Sequence, residues 1–191
     1  MSNRYIVSQA AEPAAEPVSV AEFKSFLRIT HDSEDSVLAD YLKAARLFCE
    51  NYTGKAFISR AYKIIFDRLD DPNIIPLVKM PLVSVSTVKT YDLDNITTTV
   101  SSDDYSVDVD AGRILMKYGA VLNLPARDTR ILEVDFTAGF GAAASDVPES
   151  IKQAILMKAT QMYEERGDVP VSAPFDMIAA LLKPYKKIGA V

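Results

Sequence analysis

The chain has 191 residues, 49% of them hydrophobic and 25% charged, a balance that buries a core without disulfides or metals. Lysine and arginine number 21 against 26 aspartates and glutamates, a formal charge of −5, which argues against a protein whose main task is to neutralise nucleic-acid phosphates. One cysteine and one histidine exclude a disulfide framework and a structural zinc site.

No stretch approaches the roughly 18 to 20 unbroken apolar residues of a membrane-spanning helix. The opening residues lack a basic region followed by an apolar run, so no signal peptide is expected, and synthesis in a reducing cytoplasm is the default. Residues 1–17 are rich in Ala, Glu and Pro and read as a mobile or docking arm, with order expected from Ser19. Ser19-Val20-Ala21-Glu22 has the form of a capping box, and a short helix through about Arg28 follows, with Val20, Phe23 and Leu27 on one face.

The acidic cluster Asp32-Ser33-Glu34-Asp35 suits the positive end of a helix dipole and opens a longer helix. Its apolar stripe is Val37, Leu38, Tyr41, Leu42, Ala45, Phe48, Cys49 and Tyr52, and Gly54 ends it. From about Phe57 to Phe136 the chain turns rich in Val, Ile, Thr and Tyr. Strands are predicted near Tyr62–Asp67, Ile74–Val78, Val83–Tyr91, Ile96–Val100, Tyr105–Val109, Arg113–Lys117 and Arg130–Phe136. Turns at Asp92–Asn95 and Asp110–Gly112 make the sheet antiparallel. Helix returns at Pro148, read as a first helical position, with Ile151, Ala154, Ile155, Ala159, Met162 and Tyr163 as its stripe and Gly167 closing it. A loop over Asp168–Pro174 leads to a last short helix around Phe175–Leu182 and a lysine-bearing tail.

The expected fold is therefore α+β, one compact domain of helices with an inserted antiparallel sheet. Its parts are an arm (1–17), N-terminal helices (18–56), a β-rich insert (57–140), C-terminal helices (141–182) and a tail (183–191).

Candidate chemistry is thin. Cys49 lies on an apolar stripe, where a thiol behaves as a small hydrophobe, and His31 reads as a surface turn residue. Gly139-Phe140-Gly141-Ala142-Ala143-Ala144 matches a dinucleotide-loop pattern, but Pro148 delays the helix and no strand follows, so a strand-to-helix loop is the better reading. No nucleophile elbow, Walker loop or metal-binding helix motif is present. No cofactor is implied.

Between Asp92 and Asp110 stand six acidic side chains (Asp92, Asp94, Asp103, Asp104, Asp108 and Asp110) and no basic one. Three readings are open: a weak cation site at Asp108–Gly112, a solvated edge that discourages aggregation, or an acidic surface past which DNA slides. The segment Leu181, Leu182, Lys183, Pro184, Tyr185, Lys186 and Lys187 is either a solvated tail or a peptide that docks in a partner's groove.

The order of several phrases along the chain resembles the tailed-phage head–tail connector family, also called adaptor or head-completion proteins. These phrases are Val18–Arg28, the helix ending Glu50-Asn51-Tyr52-Thr53-Gly54-Lys55, and Leu82-Val83-Ser84-Val85 after Pro81. Asp104–Asp108, Gly112-Arg113-Ile114, and Phe136–Gly141 leading to Val147-Pro148 continue the series, followed by Ile151–Glu165 and Leu181–Tyr185. The closest subtype carries a β insert and also occurs in phage-like gene transfer agents.

The resemblance implies a structural protein of the virion neck, without catalysis or membrane contact. Such a protein forms a ring of roughly twelve copies through a heterologous interface beneath the portal protein. It would extend the DNA channel toward a stopper or tail-completion protein, pass DNA without sequence-specific binding, and use its C-terminal segment as a portal-docking strap. The runner-up from another class is a monomeric α+β binding module, or a small metal-dependent enzyme using the acidic hairpins.

Overall fold

A computed structural model describes residues 3–9, 12–125, 127–165 and 174–186 of the chain. Gly167, residues 168–173 of the expected loop, and Lys187 with the rest of the tail lie outside the described residues. The fold is α+β, with four helices and antiparallel sheets among the described residues. The chain divides into two compact units, Met1–Pro13 with Ser59–Phe140, and Ala14–Ile58 with Gly141–Val191.

The first unit is built of strands β1 (Arg4–Gln9), β2 (Arg60–Arg68), β3 (Ile74–Pro76), β4 (Leu82–Tyr91), β5 (Thr97–Thr99), β6 (Tyr105–Asp108), β7 (Arg113–Met116) and β8 (Leu132–Ala138). A five-stranded sheet has the order β1-β2-β8-β4-β5 and a three-stranded one β3-β7-β6, every pair antiparallel. Period-two alternation sends one face of the large sheet inward. Tyr62, Ile64 and Phe66 stand opposite Phe136, Val134 and Leu132, and Val88 joins them from β4, all buried. Ile75 and Ile114, paired across the small sheet, are buried as well.

The leading arm is corrected by β1. Arg4–Gln9 pairs along β2, the Tyr5 ring meets Phe66 edge-on at 5.8 Å, and the Asp70 amide donates to Asn3 Oδ1. The Ala, Glu and Pro residues around this run dilute its strand signal, and an edge strand takes its hydrogen bonds from a partner about 60 residues away in the chain.

The second unit is helical: α1 (Val20–Leu27), α2 (Asp35–Thr53), α3 (Glu149–Glu165) and α4 (Pro174–Leu182). Helix α3 packs against the other three. The capping box forms as expected, with Glu22 accepting from the Ser19 amide and Ser19 Oγ accepting from the Glu22 amide. Helix α2 starts in the acidic cluster, as the dipole argument expects, with Asp35 in its first turn; Glu34 at the cap makes no side-chain cap bond, and Lys24 of α1 bridges Asp32 and Asp35. Glu34 accepts from the Tyr163 hydroxyl at 2.7 Å, tying the start of α2 to the end of α3. Pro148 sits just before α3, its carbonyl accepting from Ile151 and Lys152, rather than in the first turn. The buried core holds Phe23, Leu38, Leu42, Ala45, Cys49, Ile151, Ala154, Ile155, Ala159, Ile178 and Leu182. Val37, expected on the stripe of α2, is exposed.

Candidate functional site

The six aspartates divide by the work they do. Asp92 opens the β4–β5 turn: its Oδ1 accepts from the Asp94 and Ile96 amides, and Asn95 takes a left-handed φ of 63°. Arg127 clamps the same turn, donating to the Asp92 carbonyl at 2.6 Å and to Asn95 Oδ1 at 2.8 Å. Asp108 accepts from the Ala111 amide and from Arg113 Nε, and these two bonds hold its carboxyl below the usual aspartate range. Both carboxylates are thus turned toward their own chain. Asp94, Asp103, Asp104 and Asp110 are exposed. Among the described residues no group of three or more His, Cys, Asp or Glu side chains could hold a metal ion.

A charged network that sequence spacing did not reveal covers the other face of the large sheet. Glu133 and Asp135 project from the central strand β8, flanked by Lys63 of β2 and Lys89 of β4. Lys63 reaches Glu133 at 2.6 Å and Asp135 at 3.5 Å, while Lys89 reaches them at 3.6 and 3.4 Å. Tyr91 and Thr87 donate to Glu133 and Asp135. Burial would raise both carboxyls, but the hydrogen bonds and the lysine charges outweigh it and hold both below their ordinary values. The only hint in the sequence is the period-two placement of Glu133 and Asp135, and their partners belong to strands 42 to 70 residues away.

The second unit conceals another network. Arg46 and Glu50 are fully buried on α2. Arg46 donates to Glu50 at 3.0 Å and to Glu16 at 2.7 Å, and Glu50 also accepts from the Phe57 amide. The C-terminal candidates fold back on the same unit. Leu182 is buried, Leu181 half-buried, and Lys183–Tyr185 form a 3₁₀ turn. The Tyr185 hydroxyl lies 3.0 Å from Ser150 Oγ and the Lys186 ammonium 4.9 Å above the Tyr52 ring. Lys183, Pro184 and Lys186 are exposed.

The remaining sequence candidates have structural roles. Cys49 is buried, and burial pushes its thiol up to about 12. His31 is exposed and bonded to Ser33 Oγ. In the Gly139–Ala144 loop, a side chain at Gly141 would collide with Asp146, whose carboxylate accepts from the Ala143 amide. That glycine therefore makes room for a cap rather than for a phosphate.

The arrangement offers exposed turns, a lysine-bearing end and polar sheet faces. A profile of the head completion protein family matches residues 16–169. Among solved structures, the chain is similar to one from the neck of an empty gene transfer agent (GTA) particle computed with C6 symmetry, with 29% identity, 97% of each chain covered and a TM-score of 0.83. A chain of the virion of the native GTA particle matches to the same degree. One from the neck of the native particle computed with C12 symmetry matches at 27% identity, 97% of each chain and a TM-score of 0.81. No curated protein matches. Since the profile spans most of the chain, the chain belongs to the head completion protein family.

Proposed function

We propose that this protein is a head–tail connector of the virion neck, a structural subunit that forms a ring beneath the portal protein, extends the DNA channel and carries the stopper or tail-completion protein. The observation that carries this reading is the likeness, over 97% of both chains, to structures from the necks of gene transfer agent particles. A ring is built by repeating one heterologous contact, and the C12-symmetric neck of the relative is an assembly of that kind.

In this reading the protein catalyses nothing and takes no cofactor. The exposed Lys183, Pro184 and Lys186 are the portal-facing part of the C-terminal segment, with Leu182 and Tyr185 anchoring that segment to its own helices. The exposed carboxylates of Asp94, Asp103, Asp104 and Asp110 suit a surface beside moving DNA, because like charge repels the phosphates and prevents retention. The alternative of a metal-dependent enzyme at the acidic hairpins is weakened by the engagement of Asp92 and Asp108 in their own turns.

The test is assembly. Purified protein mixed with portal-bearing heads and imaged by electron microscopy should add a ring at the portal vertex. A chain that stays monomeric and unbound in the presence of portal overturns the reading.

A further inference from the structure

The β7–β8 connection carries an apolar projection. Its first turn, Lys117–Ala120, is closed by the Ala120 amide donating to the Lys117 carbonyl at 3.0 Å, and Gly119 supplies the φ of 84° that the third position demands. The base is fixed at both sides: the Lys117 amide donates to the Asp104 carbonyl, and Leu122 is buried. From this fixed base Tyr118 and Val121 stand out at 108% and 86% exposure, above every other large hydrophobic residue among those described. An aromatic and an aliphatic side chain held in water by an ordered turn lose little conformational entropy on docking, as binding hot spots require.

A complementary recess lies on the helical unit. Phe26 of α1, 44% exposed, and Met157 of α3 form the apolar part of a groove of about 230 Å³, with Thr160, Gln161, Glu164 and Glu165 around it. The rim is acidic, and charge disfavours two of the other exposed apolar tips. Leu93 sits between Asp92 and Asp94, and Val109 between Asp108 and Asp110, so both would bring like charge to Glu164 and Glu165. Tyr118 follows Lys117, which brings the opposite charge.

We propose that the Lys117–Val121 turn of one copy inserts Tyr118 and Val121 into the Phe26–Met157 groove of the next, with Lys117 facing the Glu164–Glu165 rim. Knob and groove belong to different units of the chain, so one copy can offer its knob to a second and its groove to a third, as a head-to-tail ring requires. This inference rests on the ring reading above and names the contact that would build it.

The experiment uses the full chain on portal-bearing heads. Tyr118→Cys combined with Thr160→Cys should give, under mild oxidation, a ladder of covalent oligomers. Each single variant should give none, since the native Cys49 is buried. Tyr118→Ser with Val121→Ser should raise the concentration needed for ring assembly by at least about tenfold. Lys117→Glu should weaken assembly, and adding Glu164→Lys should restore it. Rings that form normally in the Tyr118→Ser, Val121→Ser protein, or a double-cysteine protein that closes only an internal disulfide, overturn this contact and leave the ring reading standing. If the unaltered protein forms no ring on portal, the ring reading falls and this contact with it.

Discussion

Arg46 and Glu50, one helical turn apart on α2, form a fully buried ion pair with a 3.0 Å contact. The pair is completed from outside the helix. Glu16 takes the guanidinium's Nε, and the second oxygen of Glu50 caps the Phe57 amide where the chain leaves α2. Thus one arginine holds the segment before α1 and, through Glu50, the segment after α2, which explains why a charged pair persists inside an apolar helix bundle.

Breaking that pair from one side should be costly. Arg46→Leu takes the guanidinium away from the buried Glu50 carboxylate, and a loss of about 3–5 kcal/mol in unfolding free energy is expected. Glu16→Ala, at a half-buried site, takes one acceptor from the buried guanidinium and should cost less, about 1–3 kcal/mol. Urea unfolding of the two variants measures both, and equal losses would show that Glu16 is as essential to the network as Glu50.

The network on the large sheet should make stability depend on pH at both extremes. Glu133 and Asp135 are held below their ordinary pKa values, so their contribution is complete at neutral pH and is lost as pH falls through the lowered values, on the acid side of the usual carboxylate range. Lys63 and Tyr91 are held above theirs, Lys63 chiefly by its bond to Glu133 and Tyr91 chiefly by burial. Their contribution is present below about pH 10 and lost as pH rises through the raised values. Urea midpoints between pH 2 and pH 11 should fall on both limbs, and Glu133→Gln should flatten each. An unchanged acid limb in that variant would place the acid sensitivity elsewhere.

Cys49 should resist thiol reagents. Burial and a thiol pKa of about 12 leave almost no thiolate at pH 8, so labelling should proceed only through unfolding. Labelling rates measured across urea concentrations should follow the unfolded fraction. Rapid reaction in native buffer would contradict the buried placement.

Gly141→Ala should destabilise the loop ahead of α3, because the added methyl meets the Asp146 carboxylate that caps the Ala143 amide. A loss of about 1–3 kcal/mol is expected, the usual cost of overpacking. Adding Asp146→Ala should recover part of it, and thermal unfolding of the single and double variants would show whether it does.

Much of the fold is legible in local pattern. The capping box at Ser19, the stripe of α2 apart from Val37, its end at Gly54 with φ 73°, and seven of the eight strands among the described residues lie where periodicity and turn residues place them. These features depend on residues only a few positions apart, so the chain itself carries them. β1 escapes because an edge strand is defined by its partner. Which segments make up each compact unit depends on packing between distant parts of the chain.

The surfaces were legible only in part. The acidic run Asp92–Asp110 is plain in the sequence, but which carboxylates bond within their own turns is set by turn geometry, with Arg127 joining the Asp92 turn from 35 residues away. The Tyr118 turn carries a local sign in Gly119, yet its exposure shows only once Leu122 is buried and the neighbouring strands are paired. Nothing local marks the groove at Phe26 and Met157, since α1 and α3 are more than 100 residues apart and meet only by packing. By itself the sequence determined an acidic α+β chain poor in catalytic side chains, with a family resemblance spread over most of its length. The tertiary structure alone decided which charges are buried in pairs and which side chains remain available to a neighbour, because burial and pairing belong to segments brought together from distant parts of the chain.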